Sequence, residues 1–328
     1  MAKKPSETSV IEYDQVGGAD VLQARTRPLR APEPGEVTVE VIVAGISHID
    51  GFIRTGQEPD WAAEPFPRAS GSDFAGVVVD SADPRFPRGT EVVGHVRSGA
   101  HATYLTVSAD ALVKKPKHVT WETAGGLYLA GVTALDTLDA LHIAEGDTIV
   151  ISAAAGAVGS IEAQLARYRG AKVIGTCGER NFDYLRQLGI TPIQYGPGMT
   201  ERIQAAAPRG VTAFIDNFGQ DGHELARELG VPASRYRSSD DRRELELKLL
   251  RSDPETVQHA TRQLAALVDL ADKQAFSLLI SGFYPLGDVA LAYADLDKLH
   301  SRGKVVLATH PVSTFRYLKA RDVADARN

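Results

Sequence analysis

The run Ala154-Ala155-Gly156-Ala157-Val158-Gly159 is where residue type and spacing point most directly to chemistry. Only Val158 carries a side chain beyond a methyl group, so the backbone amides lie open to a close-fitting ligand. At a helix start those amides and the helix dipole favour an anion, and a pyrophosphate is the anion such loops hold. The spacing departs from Gly-x-Gly-x-x-Gly: Ala154 stands at the first glycine, with Gly156 and Gly159 at the second and third. The expected chemistry is dinucleotide binding. The alternative is a tight turn from strand to helix with no ligand. A second stretch bears on which dinucleotide. Thr176, Cys177 and Gly178 close the next apolar run without the carboxylate that would take a ribose 2′-hydroxyl. Glu179 comes only afterwards, Arg180 follows it, and Lys172 opens the run. A neutral strand end beside a guanidinium suits a 2′-phosphate, so NADPH is expected over NADH. The alternative leaves Arg180 in solvent at a helix start.

These residues need elements to position them. Residues 149–152 read as a buried strand, 161–170 as an amphipathic helix and 171–177 as a second strand. The alternation continues through 182–188, 200–206, 213–216 and 223–229, the order of a doubly wound parallel sheet. Asn217 and Phe218 then fall at the carboxyl edge of strand 213–216, where ligands gather and the nicotinamide ribose is expected; the alternative is a plain loop. Residues 10–115 have a different character. Short apolar or alternating runs at 37–43, 74–79, 91–95 and 102–107 are divided by Pro/Gly turns, which predicts an antiparallel barrel or sandwich. Thr120 can cap a helix over 124–141, interrupted near Gly131. Residues 238–273 are charged and helical in period, with Leu245, Leu249, Val257, Leu264 and Leu267 as anchors. A strand at 277–280, a helix at 286–299, a strand at 304–307 and a frayed end at 320–328 complete the reading. The expectation is two domains, the β-rich one from 1–122 and 276–328, the cofactor-binding one from 123–275.

Bulk properties exclude other classes. The net charge is −6 with no basic stripe, which argues against nucleic acid and anionic membrane as partners. Cys177 is the only cysteine, so no internal disulfide can form and a cytoplasmic setting is expected. No apolar run approaches the roughly 20 residues of a membrane span, and the N-terminus lacks the apolar core of a secretory signal.

The layout resembles the medium-chain dehydrogenase/reductase superfamily, and within it the zinc-free quinone oxidoreductase branch that includes zeta-crystallin. The segments that carry the resemblance are 41–56 (VIVAGISHIDGFIRTG), 71–78 (GSDFAGVV), 130–134 (AGVTA), 154–159 (AAGAVG) and 302–307 (RGKVVL). It implies a Rossmann-type doubly wound parallel sheet plus a β-rich irregular-barrel (GroES-like) catalytic domain. It also speaks to metal. Zinc enzymes of the superfamily carry Cys where Ser47 stands, and Gly-His-Glu where Gly71-Ser72-Asp73 stands. Their four-cysteine lobe has no counterpart in a chain with one cysteine. No metal is expected, and reduction of an already polarised acceptor becomes the favoured chemistry.

The resemblance also implies roles. Tyr195 would lie beside the adenosine phosphate and Thr133 at the nicotinamide end; for Thr133 the alternative is packing or back-bonding within a helix. Quinone oxidoreductases of this type often carry Asn, Asp and Tyr in the order N-x-x-D-x-Y. Here those positions are Ser47, Asp50 and Phe52, so the phenol is missing, while Arg54 is retained. His48, since an unperturbed imidazole titrates near neutrality, and Tyr128, where the family more often has Pro, are the candidate replacements. The expected donor set is Ser47, His48 and Tyr128, with Asp50 orienting a neighbour or holding a turn. The alternatives are a structural His48 and a core Tyr128. Trp61 and Phe66, in the Pro-rich loop 58–67, suit a lid over a flat substrate or ordinary packing. The implied activity is NADPH-dependent reduction of a small molecule, a quinone or a carbonyl-conjugated alkene, by a homodimer. The alternatives are a specialised enone or enoyl reductase of a biosynthetic pathway, and a non-enzymatic, crystallin-like NADPH-binding protein.

Overall fold

Strand Glu36–Ile46 is built by alternation: Val37, Val39 and Val41 point one way and are fully buried. Around it the computed structural model, which describes residues 4–62, 64–220, 222–298 and 302–309, forms two compact units. The end expected to fray, 320–328, and the last residue of the expected helix 286–299 lie outside the described residues.

The first unit falls within Met1–Leu129, Leu247–Asp272 and Leu279–Asn328. Its main sheet runs Ile280–Pro285, Lys304–Ala308, Glu36–Ile46, Asp73–Ser81, Glu91–His95, Leu112–Lys114, and Tyr104–Ser108 also pairs with Glu36–Ile46. Only the first pair is parallel. A smaller sheet of Gln23–Pro28, Glu7–Tyr13 and Arg68–Ala69 accompanies it. The register that matters for function sets Val305 opposite Ile46 and Ala308 opposite Val43. It brings Lys304 level with Ser47, from opposite ends of the chain.

The second unit, Ala130–Glu246 with Lys273–Leu278, holds an all-parallel sheet in the order Thr191–Gln194, Lys172–Cys177, Thr148–Ile151, Ala213–Ile215, Tyr236–Arg237. The first strand lies in the centre, and the chain reverses direction across the sheet there. Such a switch point is where open α/β sheets bind ligands. Val150, Ile174, Phe214, Ile203 and Leu225 close the core beneath it.

Two expectations are corrected. The helix over 124–141 breaks at Gly126-Leu127 rather than Gly131, giving Trp121–Gly125 and Tyr128–Ala140. A Cβ on Gly125 would meet the Val43 carbonyl at 2.6 Å, and one on Gly126 would meet Lys304 Cγ at 2.9 Å. These glycines let helix and sheet approach, and the helix ends to do so. Residues 247–272 belong to the first unit, not the cofactor-binding one. The helix Pro254–Asp272 is pinned there by His95 Nε2 at 2.8 Å from Thr261 Oγ1, and Thr261 in turn donates to the Asp110 carbonyl.

Candidate functional site

In the second unit the run 154–159 lies between a strand and a helix. Strand Thr148–Ile151 ends in a turn whose left-handed position is Ala153, φ +47°, not Ala154. Ala154 and Ala155 are buried beneath the turn. Gly156 caps the helix Ala157–Tyr168 with no side-chain hydrogen bond, so its first amides lack the usual polar cap. Ala157 and Val158 open that helix. A Cβ on Gly159 would lie 2.6 Å from the Ala153 carbonyl, so the third glycine serves close strand–helix packing. Two further polar atoms are buried without a partner, Thr133 Oγ1 and Asn217 Oδ1. Thr133 is therefore not back-bonded within its helix, although it is wholly enclosed.

The residues expected at the adenosine end lie near one another. Thr176 and Cys177 are buried at the end of Lys172–Cys177, and Arg180 is exposed just beyond. Cys177 pairs with Gln194, which sets Gly178 beside Tyr195; a Cβ on Gly178 would lie 3.6 Å from the Tyr195 hydroxyl. Tyr195 and Phe218, both exposed, stack with ring centres 6.4 Å apart. Phe218 is held there because Asp216 accepts from its amide at 3.1 Å, and Ser152 Oγ accepts from the same amide at 3.0 Å. Asn217 faces the other way and donates to buried Glu162 at 2.6 Å. Open amides, a neutral strand end, an aromatic pair and the orphaned Thr133 hydroxyl fit a nicotinamide dinucleotide.

The polar set lies in the first unit. Ser47 is half-buried at the start of helix His48–Arg54. Its amide donates to Asp50 Oδ2 at 2.9 Å, and Tyr293 donates to the same oxygen at 3.0 Å. Asp50 thus holds the turn, and burial raises its carboxyl pKa. His48 is exposed on the first turn. The Ser47 hydroxyl accepts from Lys304 Nζ at 2.7 Å, and that ammonium lies 3.2 Å from Asp73 Oδ2. Ser72 Oγ donates to the other Asp73 oxygen at 2.8 Å. His101 is fully buried, bonded to the Gly45 carbonyl at 2.9 Å, and burial lowers its pKa.

Tyr128 does not join this set. Its hydroxyl donates to the Leu249 carbonyl at 2.6 Å, and its fully buried ring stacks on His95 at 4.3 Å. It is a core aromatic whose phenol is already engaged. Trp61 is buried with the Arg97 guanidinium 3.7 Å over its ring, and exposed Phe66 has Arg68 at 4.1 Å. Arg97 also pairs with Glu64. This loop walls a cavity of about 260 Å³ lined by Tyr13, Asp50, Trp61, Arg68 and Arg97 among others. Sequence reasoning missed Lys304 and its partner role for Asp73. The available signal was a lysine opening the apolar run VVLA, since a charge heading a buried strand must be paired.

Residues 33–117 match the alcohol dehydrogenase GroES-like domain, and 191–307 match the zinc-binding dehydrogenase family. The chain is 30% identical to a probable zinc-binding oxidoreductase, mitochondrial, of Arthroderma benhamiae, over 88% of this chain and 93% of that one. It is 32% identical to an NADPH-dependent alkenal/one oxidoreductase, chloroplastic, of Arabidopsis thaliana, over 57% of this chain and 52% of that one. Several relatives at this identity align over only 51% to 59% of their own length. The structure of the quinone oxidoreductase from Coxiella burnetii superposes with a TM-score of 0.79 at 25% identity, covering 93% of this chain and all of that one. The chain belongs to the medium-chain dehydrogenase/reductase superfamily, in its quinone oxidoreductase branch, and is an oxidoreductase.

Two of these names mention zinc, and the residues do not fit it. Zinc takes Cys, His or carboxylate ligands around an open position. Beside Ser47 the cation is the Lys304 ammonium, already paired with Asp73. Among the described residues no three His, Cys, Asp or Glu side chains form a metal-binding group.

Proposed function

We propose that this chain reduces a quinone or a carbonyl-conjugated alkene with NADPH and without zinc. The observation that carries the reading is the half-buried Ser47 hydroxyl, which accepts a hydrogen bond from the buried Lys304 ammonium at 2.7 Å. When bound, the nicotinamide supplies a hydride, two electrons and one hydrogen. An acceptor that takes it gathers negative charge on its oxygen and then needs one proton. Ser47 donates a hydrogen bond to that oxygen, and fixed donors of this kind stabilise developing charge. Asp50 and Tyr293 keep the Ser47 backbone in place. His48, exposed on the same turn, exchanges the proton with solvent. The cavity walled by Trp61 is lined by Asp50 of the same turn. Arg180 and Tyr195 favour the 2′-phosphate, with Thr133 and Asn217 at the nicotinamide end. A cytoplasmic setting agrees with the single cysteine, and among the described residues no helix is long and apolar enough to cross a membrane.

The test is NADPH consumption by the purified protein against an ortho-quinone, a panel of 2-enones and enoyl thioesters. Turnover of one class assigns the acceptor. Binding of NADPH with no turnover leaves a dinucleotide-binding protein and overturns the reading. In the same assay Arg180→Ala is expected to raise the KM for NADPH roughly tenfold or more, the size of a lost charge-assisted bond, while NADH is little changed. Equal effects on both cofactors remove the 2′-phosphate assignment.

A further inference from the structure

We propose that Lys304 is the positioning residue that turns Ser47 into the hydrogen-bond donor of the reaction. This rests on the reading that Ser47 holds the acceptor oxygen. The ammonium donates to Ser47 Oγ at 2.7 Å, so the serine oxygen is the acceptor in that pair. The proton of Ser47 must therefore point elsewhere, and the residue is only half-buried. A hydroxyl that accepts from a cation is polarised and becomes a stronger donor on its other side. Lys304 itself is 3% exposed and touches nothing outside; it acts through the serine.

The site is built around this lysine. Burying an ammonium is costly unless it is paired and hydrogen-bonded. Asp73, 1% exposed, supplies the pair at 3.2 Å, and Ser72 steadies it. Space is cleared as well. A Cβ on Gly45 would come within 3.0 Å of both Lys304 Cε and Asp73 Oδ2, and one on Gly126 within 2.9 Å of Lys304 Cγ. From the other side, Asp50 fixes the Ser47 amide at 2.9 Å, so the hydroxyl is held between two anchors. No proton leaves Lys304 or Ser47. The acceptor gains a hydride from the dinucleotide and a proton from solvent, and the pair stabilises the oxygen's charge between those events.

A mutant cycle tests this. Ser47→Ala is expected to lower kcat on the acceptor about 100-fold, as loss of one such donor does. The double variant Asp73→Asn/Lys304→Met removes both buried charges together, which limits the cost to folding, and is expected to lower kcat similarly. Combining all three changes should add less than about threefold, because the lysine works only through the serine. NADPH affinity, read by cofactor fluorescence, should stay within about twofold throughout, since the loop 152–159 is untouched. Should the double variant not fold, Lys304→Arg carries the test. It keeps the charge but moves it, so kcat falls while NADPH affinity holds. Losses that multiply in the triple variant, or an unchanged kcat in Lys304→Arg, overturn the proposal. If the wild type turns over no acceptor, the functional reading fails first and the proposal falls with it.

Discussion

Glu162 lies on the helix that follows the cofactor turn, wholly buried, and burial pushes its carboxyl up to about 7. Asn217 and Arg242 pull the other way and do not win. The protonated form suits the surroundings: Glu162 Oε1 and Asn217 Oδ1 are both buried without partners, and an acid supplies a donor where a carboxylate supplies none. The sign for stability follows. A carboxyl at about 7 in the fold and near 4.5 in the open chain keeps its proton on folding between those values. Its contribution is fully present below about 4.5 and is lost as pH rises through 7, on the order of 3 kcal/mol. Glu162→Gln removes that dependence. The melting temperature of the variant relative to wild type is expected to be higher at pH 8 than at pH 5, by roughly 5 °C or more. A difference that does not change with pH would mean the carboxylate is ionised in the fold. None of this was legible in the sequence, where Glu162 reads as one more polar residue on an amphipathic helix. Nor was Lys304–Ser47: 257 positions separate them, and only the strand register brings them level.

Elements show the opposite balance. The turn 152–156 and the alternating strands and helices of the cofactor unit follow from local pattern, because a buried parallel strand and its helix have distinct periods. The β-rich half was legible in its apolar strands, less so in Glu7–Tyr13 and Gln23–Pro28, whose polar residues disguise them. The helix Pro254–Asp272 marks where local pattern stops. Its period shows that Leu264 and Leu267 are buried, not which core they enter. That choice is made by distant partners, among them His95, whose ring lies 2.8 Å from the Thr261 hydroxyl across 166 positions; just before that helix, the Tyr128 hydroxyl reaches across 121 positions to the Leu249 carbonyl. Tyr128→Phe strands that carbonyl, so it is expected to cost about 1–2 kcal/mol of stability, seen in chemical denaturation. kcat/KM on any acceptor should not change. A selective loss of kcat with unchanged stability would restore the phenol to the donor set.

At the scale of the whole molecule we expect a homodimer. The edges of the cofactor sheet are Thr191–Gln194, four residues, and Tyr236–Arg237, two. Such short edges offer few backbone bonds to a second sheet, so side chains must bury most of the area. Light scattering is expected to give the mass of two chains, unchanged by dilution into the low micromolar range. A single-chain mass would overturn it. Sequence composition bounded what the protein is not, and the resemblance supplied the family, but neither could divide the chain at 247–272, since the first unit is made of three separated stretches. That division has a consequence in time. Strand Glu36–Ile46 pairs with Lys304–Ala308, so Ser47 leaves the ribosome long before its lysine has been synthesised. At about 5–20 residues per second the wait is on the order of ten seconds or more. The second unit, Ala130–Glu246 with Lys273–Leu278, is likewise translated in full before Lys304. On the nascent chain the residues proposed to hold the cofactor are complete before the Ser47–Lys304 pair proposed to use it.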